Sequence, residues 1–401
     1  MIRVARHSSS HRPGRASPLW APARRCAALC CAAVVLTAVR CADQPLGPTA
    51  RAKILWFHQD SAGAAARPYA DGELAVFTTE FDLRVVALDM KSGAPRWERR
   101  LPTTPGAPYE GMPHANIVAA GALLIVPAWD LFALDRNSGE IRWEFERTDD
   151  YPGWGDVAVA DGRVFAAGKY LYAIDASTGS LLWRLDVGEL PLAEQPWRPV
   201  VIDGTVYLST RPGEKGSGEA HAMAVEAATG TVLWRYSISD TDPGKSGSVG
   251  PPFIRDTVLV VACYNRKVYA LDRRTGQLLW TYTGANNAYM AGAVIIDSTV
   301  VTGADAVEGL DIATGRLRWR SGPIGTVTVP ITMGEEGHTA LVSSAVVYAY
   351  DATGKIQWRY GGERWGQPVY TTAATYRDSV VYVGSVAPEP PGPGFYAIRL
   401  R

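Results

Sequence analysis

The groups with which this 401-residue chain could do chemistry are few and scattered. Its six histidines (His7, His11, His58, His114, His221 and His338) show no metal-ligand spacing. No Gly-X-Ser-X-Gly stands in a strand-to-helix context, so no hydrolase nucleophile is implied. Gly244-Lys245-Ser246-Gly247-Ser248 has residue types of a phosphate loop but lacks the upstream glycine and the following helix, and a flexible loop accounts for it better. Asp156, Asn286, Asn287 and Asp305 could offer oxygen ligands, yet such residues on connecting loops are more often solvated than gathered round a calcium ion. Of five cysteines, Cys26, Cys30, Cys31 and Cys41 lie in the first 41 residues. Cys263 stands alone in the apolar run Val258 to Tyr264, where it reads as a small buried hydrophobe. The expectation is therefore no catalytic residue, no cofactor and no metal.

What could position any of these groups is a repeat. Seven intact copies carry an alternating strand ending in an acidic residue, a tight turn ending in glycine, and a tryptophan four residues later: Asp89/Gly93/Trp97, Asp135/Gly139/Trp143, Asp175/Gly179/Trp183, Glu226/Gly230/Trp234, Asp272/Gly276/Trp280, Asp311/Gly315/Trp319 and Asp351/Gly354/Trp358. An eighth copy is split across the chain ends, with Phe395 to Arg399 supplying its first half and Lys53 to Trp56 its second. Successive tryptophans from Trp56 to Trp358 are 41, 46, 40, 51, 46, 39 and 39 residues apart, the period of a four-stranded propeller blade. About 15 residues upstream of each acidic residue lies a hairpin signal: Asp71-Gly72, Ala120-Gly121, Asp161-Gly162, Asp203-Gly204, Arg255-Asp256, Asp297-Ser298, Glu336-Gly337 and Arg377-Asp378. The sequence predicts an all-β, eight-bladed propeller of four-stranded antiparallel blades, closed by pairing of the strand near Trp56 with the strands near Phe395.

Each residue type in the motif has a reason. The acidic side chain can accept hydrogen bonds from the turn backbone, the Ser or Thr before glycine offers a second local partner, and glycine permits the positive φ that reverses the chain. The eight tryptophans (Trp56, Trp97, Trp143, Trp183, Trp234, Trp280, Trp319 and Trp358) are expected to dock between neighbouring blades, as spacers and not as ligand-binding groups.

Lys plus Arg and Asp plus Glu number 40 each, so no global field favours nucleic acid or an anionic membrane. Arg12, Arg15, Arg24 and Arg25 precede the apolar stretch Cys26 to Val39, too short to span a bilayer but matching a signal-peptide core. The expected organisation is a leader over 1–41, a tether over 42–52 and one propeller domain over 53–401. Ala38-Val39-Arg40-Cys41 resembles a lipobox, with Arg40 departing from the small residue that pattern has there, which makes Cys41 the candidate lipidation site.

The recurrent acidic–Thr/Ser–Gly–Trp pattern resembles the tryptophan-docking motif of the PQQ-like (pyrroloquinoline quinone type) β-propeller repeat family, over essentially all of residues 51–401. That superfamily includes quinone-dependent alcohol dehydrogenases and the β-propeller lipoprotein of outer-membrane barrel assembly. The resemblance implies, for the dehydrogenases, a quinone held beneath a ring of two adjacent cysteines and on a tryptophan, with Asp, Glu and Asn around calcium. Here the only adjacent cysteines are Cys30-Cys31, in the leader. The resemblance thus points to a non-enzymatic exported scaffold for protein–protein interaction at the bacterial cell envelope, nearest in character to the assembly lipoprotein. The alternatives are a PQQ-dependent dehydrogenase-like oxidoreductase and a small-molecule sensor using the funnel.

In a propeller of this order the inter-blade connections share one face with the loops between second and third strands. Trp129, Trp154, Trp197, Arg198, Tyr289 and Trp365 fall on that face and have no part in the docking motif. They form the candidate partner-binding rim, the plainer account being that they plug the channel or pack on adjacent loops. The partners expected there are envelope proteins or extended peptides, bound partly by strand addition to an exposed edge; no nucleic acid is expected. The membrane is expected to be reached only through a lipid at Cys41. The propeller is expected to be a monomer, in the periplasm or at the outer membrane.

Overall fold

The structure is a computed structural model and describes residues 53–64, 66–79, 82–102, 116–146, 156–168, 170–186, 199–210, 220–238, 251–263, 266–284, 292–303, 306–324, 331–334, 337–343, 346–360, 372–385 and 392–399. These residues form eight four-stranded antiparallel sheets, seven of them consecutive in sequence. The eighth is closed by both ends of the chain: Lys53–Gln59 pairs with Gly394–Arg399, from Lys53 opposite Arg399 to Gln59 opposite Gly394. We number blades 1 to 7 from the chain start and call the split sheet blade 8. Arg399, standing where other copies have a carboxylate, sits within this register.

Each blade's second and third strands are buried along nearly their whole length, as in Leu74–Thr78 and Arg84–Asp89 of blade 1. This follows from packing on both faces, which removes the inside/outside alternation of a one-sided sheet. The core is correspondingly distributed. Eight hydrophobic clusters each join one pair of neighbouring blades, from blades 1 and 2 (Val76, Leu124) round to blades 7 and 8 (Leu341, Val381) and blades 8 and 1 (Phe395, Phe77). With one cluster per interface the ring has no open edge between blades.

The docking motif is a joint between blades. In each of Trp56, Trp97, Trp143, Trp183, Trp234, Trp280 and Trp319, the indole Nε1 donates to the carbonyl of the residue after the next blade's acidic residue (Met90, Arg136, Ala176, Ala227, Arg273, Ile312 and Ala352), at 2.8 to 3.1 Å. The turn glycine of that next blade lies flat against the ring. A Cβ at Gly93, Gly139, Gly179, Gly230, Gly276 or Gly315 would come within 2.5 to 2.9 Å of the tryptophan, and one at Gly354 would meet Trp319 as closely. Glycine is therefore required twice over, for its positive φ and for the space the indole takes. The acidic residue and hydroxyl behave as their types predict: Asp135 Oδ1 accepts from the Asn137 and Ser138 N–H groups and the Ser138 hydroxyl.

Every outermost strand also carries a bulge. The register skips one residue immediately before each tryptophan, namely Leu55, Arg96, Arg142, Leu182, Leu233, Leu279, Arg318 and Gln357. A bulge twists an edge away from further pairing. Three hairpin turns lie one residue later than their sequence signals. Gly121, Asp256 and Asp378 adopt positive φ as first turn residues, which leaves Ala120, Arg255 and Arg377 as the ends of the strands before them.

Candidate functional site: the channel wall and its rim

The first strands of the blades neighbour one another around the ring and so line its channel. They are short: Tyr69–Ala70 in blade 1, Val118–Ala120 in blade 2, Val157–Ala160 in blade 3, Thr332–Met333 in blade 7 and Thr375–Arg377 in blade 8. Shortness keeps the eight strands from crowding at the narrow centre, and it leaves polar residues where they enter each strand.

Those residues are tied circumferentially. The Thr332 hydroxyl of blade 7 donates to the Ala374 carbonyl at 2.8 Å, and Thr375 of blade 8 donates to the Pro68 carbonyl at 2.6 Å. From blade 1 the Arg67 N–H donates to Asn116 Oδ1 at 3.2 Å. The backbone N–H and Nδ2 of Asn116, entering blade 2, then reach the two carboxylate oxygens of Asp156, entering blade 3, at 2.7 Å each. A belt of hydrogen bonds therefore crosses four blade boundaries, including that between blades 8 and 1. Asp156, foreseen as a potential calcium ligand, is buried and bonded to Asn116.

Inside this belt lies a cavity of about 240 Å³, walled by blades 7, 8, 1 and 2, with Arg67, Tyr69, Met333, Thr375, Tyr376 and Arg377 among its lining. Tyr69 donates to Asp71 Oδ2, and burial followed by the Asp71 charge raises its phenol above the ordinary range. Burial pushes Asp71 up as well, but the hydrogen bond from Arg136 and the N–H groups of Leu74 and Glu73 outweigh it and hold the carboxyl at about 2. Arg136 belongs to blade 2, so this pair is another cross-blade tie, with Nε 2.6 Å from Asp71. The wall offers cationic and phenolic groups to a ligand. Among the described residues no three of His, Cys, Asp and Glu are grouped to hold a metal ion.

Of the candidate rim, Trp129 is described. It is half-buried on the loop between Leu123–Pro127 and Leu131–Asp135 of blade 2, next to the buried Asp130. Trp154, Trp197, Arg198, Tyr289 and Trp365 lie outside the described residues, as do Cys41, Asn286, Asn287 and Asp305. Apart from Asp156, the channel-wall residues were not singled out in the sequence. Their signal was position alone, just before a hairpin turn at the start of each blade, and Arg377 was read as part of the turn it precedes.

A quinone cofactor of the kind the resemblance implies does not fit these residues. Cys263, the one cysteine of the repeat region, is fully buried among Tyr207, Leu259 and Tyr269 between blades 4 and 5, and has no adjacent cysteine with which to form a ring.

Comparison with known proteins places this architecture. A family model described as outer membrane protein assembly factor BamB matches residues 127–301. The chain is similar to the PQQ-like β-propeller repeat family. The proteins it is similar to differ in role. The dehydrogenase subunit of the quinone alcohol dehydrogenase of Komagataeibacter europaeus is 30% identical over 305 residues, covering 66% of this chain and 37% of that protein. BamB of Moranella endobia is 26% identical over 208 residues, covering 49% of this chain and 52% of that protein. Among solved structures, a europium-containing methanol dehydrogenase superposes with a TM-score of 0.63 at 16% identity, covering 88% of this chain and 94% of that one, a likeness of fold. The chain thus spans about a third of the length of the dehydrogenase subunit and about half that of the assembly factor.

Proposed function

We propose that this propeller is a non-enzymatic, exported scaffold for protein–protein interaction at the bacterial cell envelope, acting in outer-membrane protein assembly. The observation that carries the reading is the use made of the polar groups of the channel wall. Thr332, Thr375, Asn116 and Asp156 are bonded to neighbouring blades, so they brace the ring instead of facing a substrate. The family match described as an assembly factor supports the same reading, as does the poor fit of the cysteines to a quinone. On this proposal the chain is delivered by the leader over 1–41 to the periplasm or outer membrane, attached through a lipid at Cys41. It acts as a monomer on envelope proteins or extended peptides.

Crosslinking in intact cells followed by mass spectrometry tests the proposal. Recovery of an outer-membrane assembly complex supports it. A second reading, a quinone-dependent oxidoreductase, is favoured by the similarity to the dehydrogenase subunit. Titration of the purified protein with PQQ and calcium separates the two: stoichiometric quinone with alcohol-dependent dye reduction overturns the scaffold reading.

A further inference from the structure

The residue at the bulge before each tryptophan differs around the ring. In blades 1, 2 and 6 it is Arg96, Arg142 or Arg318, and its guanidinium turns back onto Oδ2 of the acidic residue of the same blade, at 2.6 Å from Asp89 and 2.9 Å from Asp135 in the first two. In blade 7 Gln357 donates to the same oxygen of Asp351. In the consecutive blades 3, 4 and 5 the residue is Leu182, Leu233 or Leu279, each about half exposed at 46%, 54% and 49%. Beside each stands a second exposed aliphatic residue, Leu181, Val232 or Leu278. Since the three outer strands are equivalent, these six side chains lie at one height on successive blades and form an apolar arc on the circumference.

The same replacement alters the charge. Oδ1 of Asp175 and of Asp272 accepts from its turn, as in the other blades, but no guanidinium of the described residues reaches Oδ2 of either. Glu226 of blade 4 likewise has only the Thr229 hydroxyl of its own turn on its carboxylate among the described residues. Leucine pairs are thus flanked by carboxylates, one per blade, in a geometry that elsewhere on this ring receives arginine.

We infer that the outer edge of blades 3 to 5 docks a polypeptide segment presenting aliphatic side chains flanked by arginine, whose guanidinium groups take the carboxylate positions that Arg96, Arg142 and Arg318 fill in their own blades. Charge complementarity selects this occupant over a second copy of the chain, because arc-to-arc pairing about a two-fold axis would set carboxylates against carboxylates. The bulges in all three outer strands direct the contact to side chains and away from strand addition. The inference rests on the scaffold reading and gives its partner a chemistry.

Fluorescence anisotropy of the full chain with a short labelled Leu-Arg repeat peptide, against a Leu-Glu repeat of equal length, tests it. The Leu-Arg peptide is expected to bind at least about tenfold more tightly. The variant Leu182→Arg/Leu233→Arg/Leu279→Arg should lose at least about tenfold of that binding, by filling each carboxylate from within its own blade and removing the leucines. It reproduces the residue that blades 1, 2 and 6 already carry, so its circular dichroism and Tm should match those of the parent. Should the triple variant fail to fold, Leu233→Arg alone provides the same comparison with a smaller loss. Equal binding of the two peptides, or unchanged binding by the variants, overturns the inference. So does a dimer in sedimentation that the triple variant dissolves, which would make a second copy the occupant. None of these outcomes touches the scaffold reading, which stands or falls on the envelope crosslinking.

Discussion

Trp319 pairs across the strand with Gly309, whereas the seven other docking tryptophans pair with alanine. A Cβ on Gly309 would run into the indole. On its other side the ring stacks at 15° on Tyr350 of blade 7, at a position where the other blades carry leucine, isoleucine or valine. The larger residue across the interface is matched by the smaller one behind the ring, so this joint keeps its total volume while shifting the tryptophan toward its own blade.

Gly309→Ala should therefore cost about 1 to 3 kcal/mol of stability through overpacking. Tyr350→Leu alone should also destabilise, by opening a cavity. The double variant should recover part of the sum, because it restores the arrangement of the other joints. Thermal or urea unfolding of the four proteins gives the coupling directly; simple additivity would show that the two positions do not share the space of the ring.

Gly179 and Gly204 separate two demands on glycine. Both have positive φ, 75° and 70°, but a Cβ at Gly179 would meet Trp143 at 2.8 Å whereas one at Gly204 meets nothing within 4 Å. Gly204→Ala is expected to cost about 1 kcal/mol, the strain of the left-handed conformation alone. Gly179→Ala should cost clearly more, since the ring must move as well. Equal losses in chemical denaturation would reduce the joint glycine to a turn residue.

The turn carboxylates make acid stability a property of the whole ring. Asp135 and Asp175 are held at about 2, below the ordinary carboxylate range, the first by the hydrogen bond from Arg142 and then by turn N–H groups, the second by the Ser177 hydroxyl and then by the Thr178 N–H. Asp89, Asp272, Asp311 and Asp351 are shifted in the same direction. A lowered carboxyl stabilises the fold above the unfolded value and loses that contribution as pH falls through the folded value. Stability should hold from neutrality to about pH 4 and then decline toward pH 2. Tryptophan emission followed down this range measures it, and Asp71→Asn, which also removes a carboxyl held at about 2, should flatten the decline. A loss beginning near neutrality would assign the acid response to other groups.

Blade number and closure were legible because the joint residues sit at fixed offsets within one motif, and each glycine, hydroxyl and acid acts within a few residues of itself. The channel belt was not, since its bonds join residues far apart in the chain: Asn116 and Asp156 are 40 residues apart, and Thr375 and Pro68 are 307 apart. The missed turn residues share a physical cause. Asp256 and Asp378 themselves adopt the left-handed conformation, which aspartate tolerates, so each opens its turn instead of completing it. The exposed leucines of blades 3 to 5 stand in the motif itself, as Leu182-Trp183, Leu233-Trp234 and Leu279-Trp280 against Arg96-Trp97 and Arg142-Trp143. Their meaning needed the bulge and the path of the arginine back to its aspartate.

Asn116 offers a test of the belt with a pH signature. Asn116→Ala removes the Nδ2 donor from the buried Asp156 carboxylate, leaving the backbone N–H in place, and the acceptor of the Arg67 N–H, and should cost about 1 to 3 kcal/mol. Asn116→Asp is nearly isosteric but sets a second carboxylate where Nδ2 now lies 2.7 Å from Asp156 Oδ2. Two carboxylates that close cannot both ionise, so one must take up a proton and its pKa rises well above the unfolded value. A raised carboxyl penalises the fold at high pH and ceases to do so as pH falls toward the folded value. The Tm deficit of Asn116→Asp should accordingly be largest at pH 7 and narrow by pH 5, while that of Asn116→Ala stays constant over the same interval. A deficit for Asn116→Asp that does not change with pH would mean that residue 116 and Asp156 are not in contact, and the belt would end at blade 2.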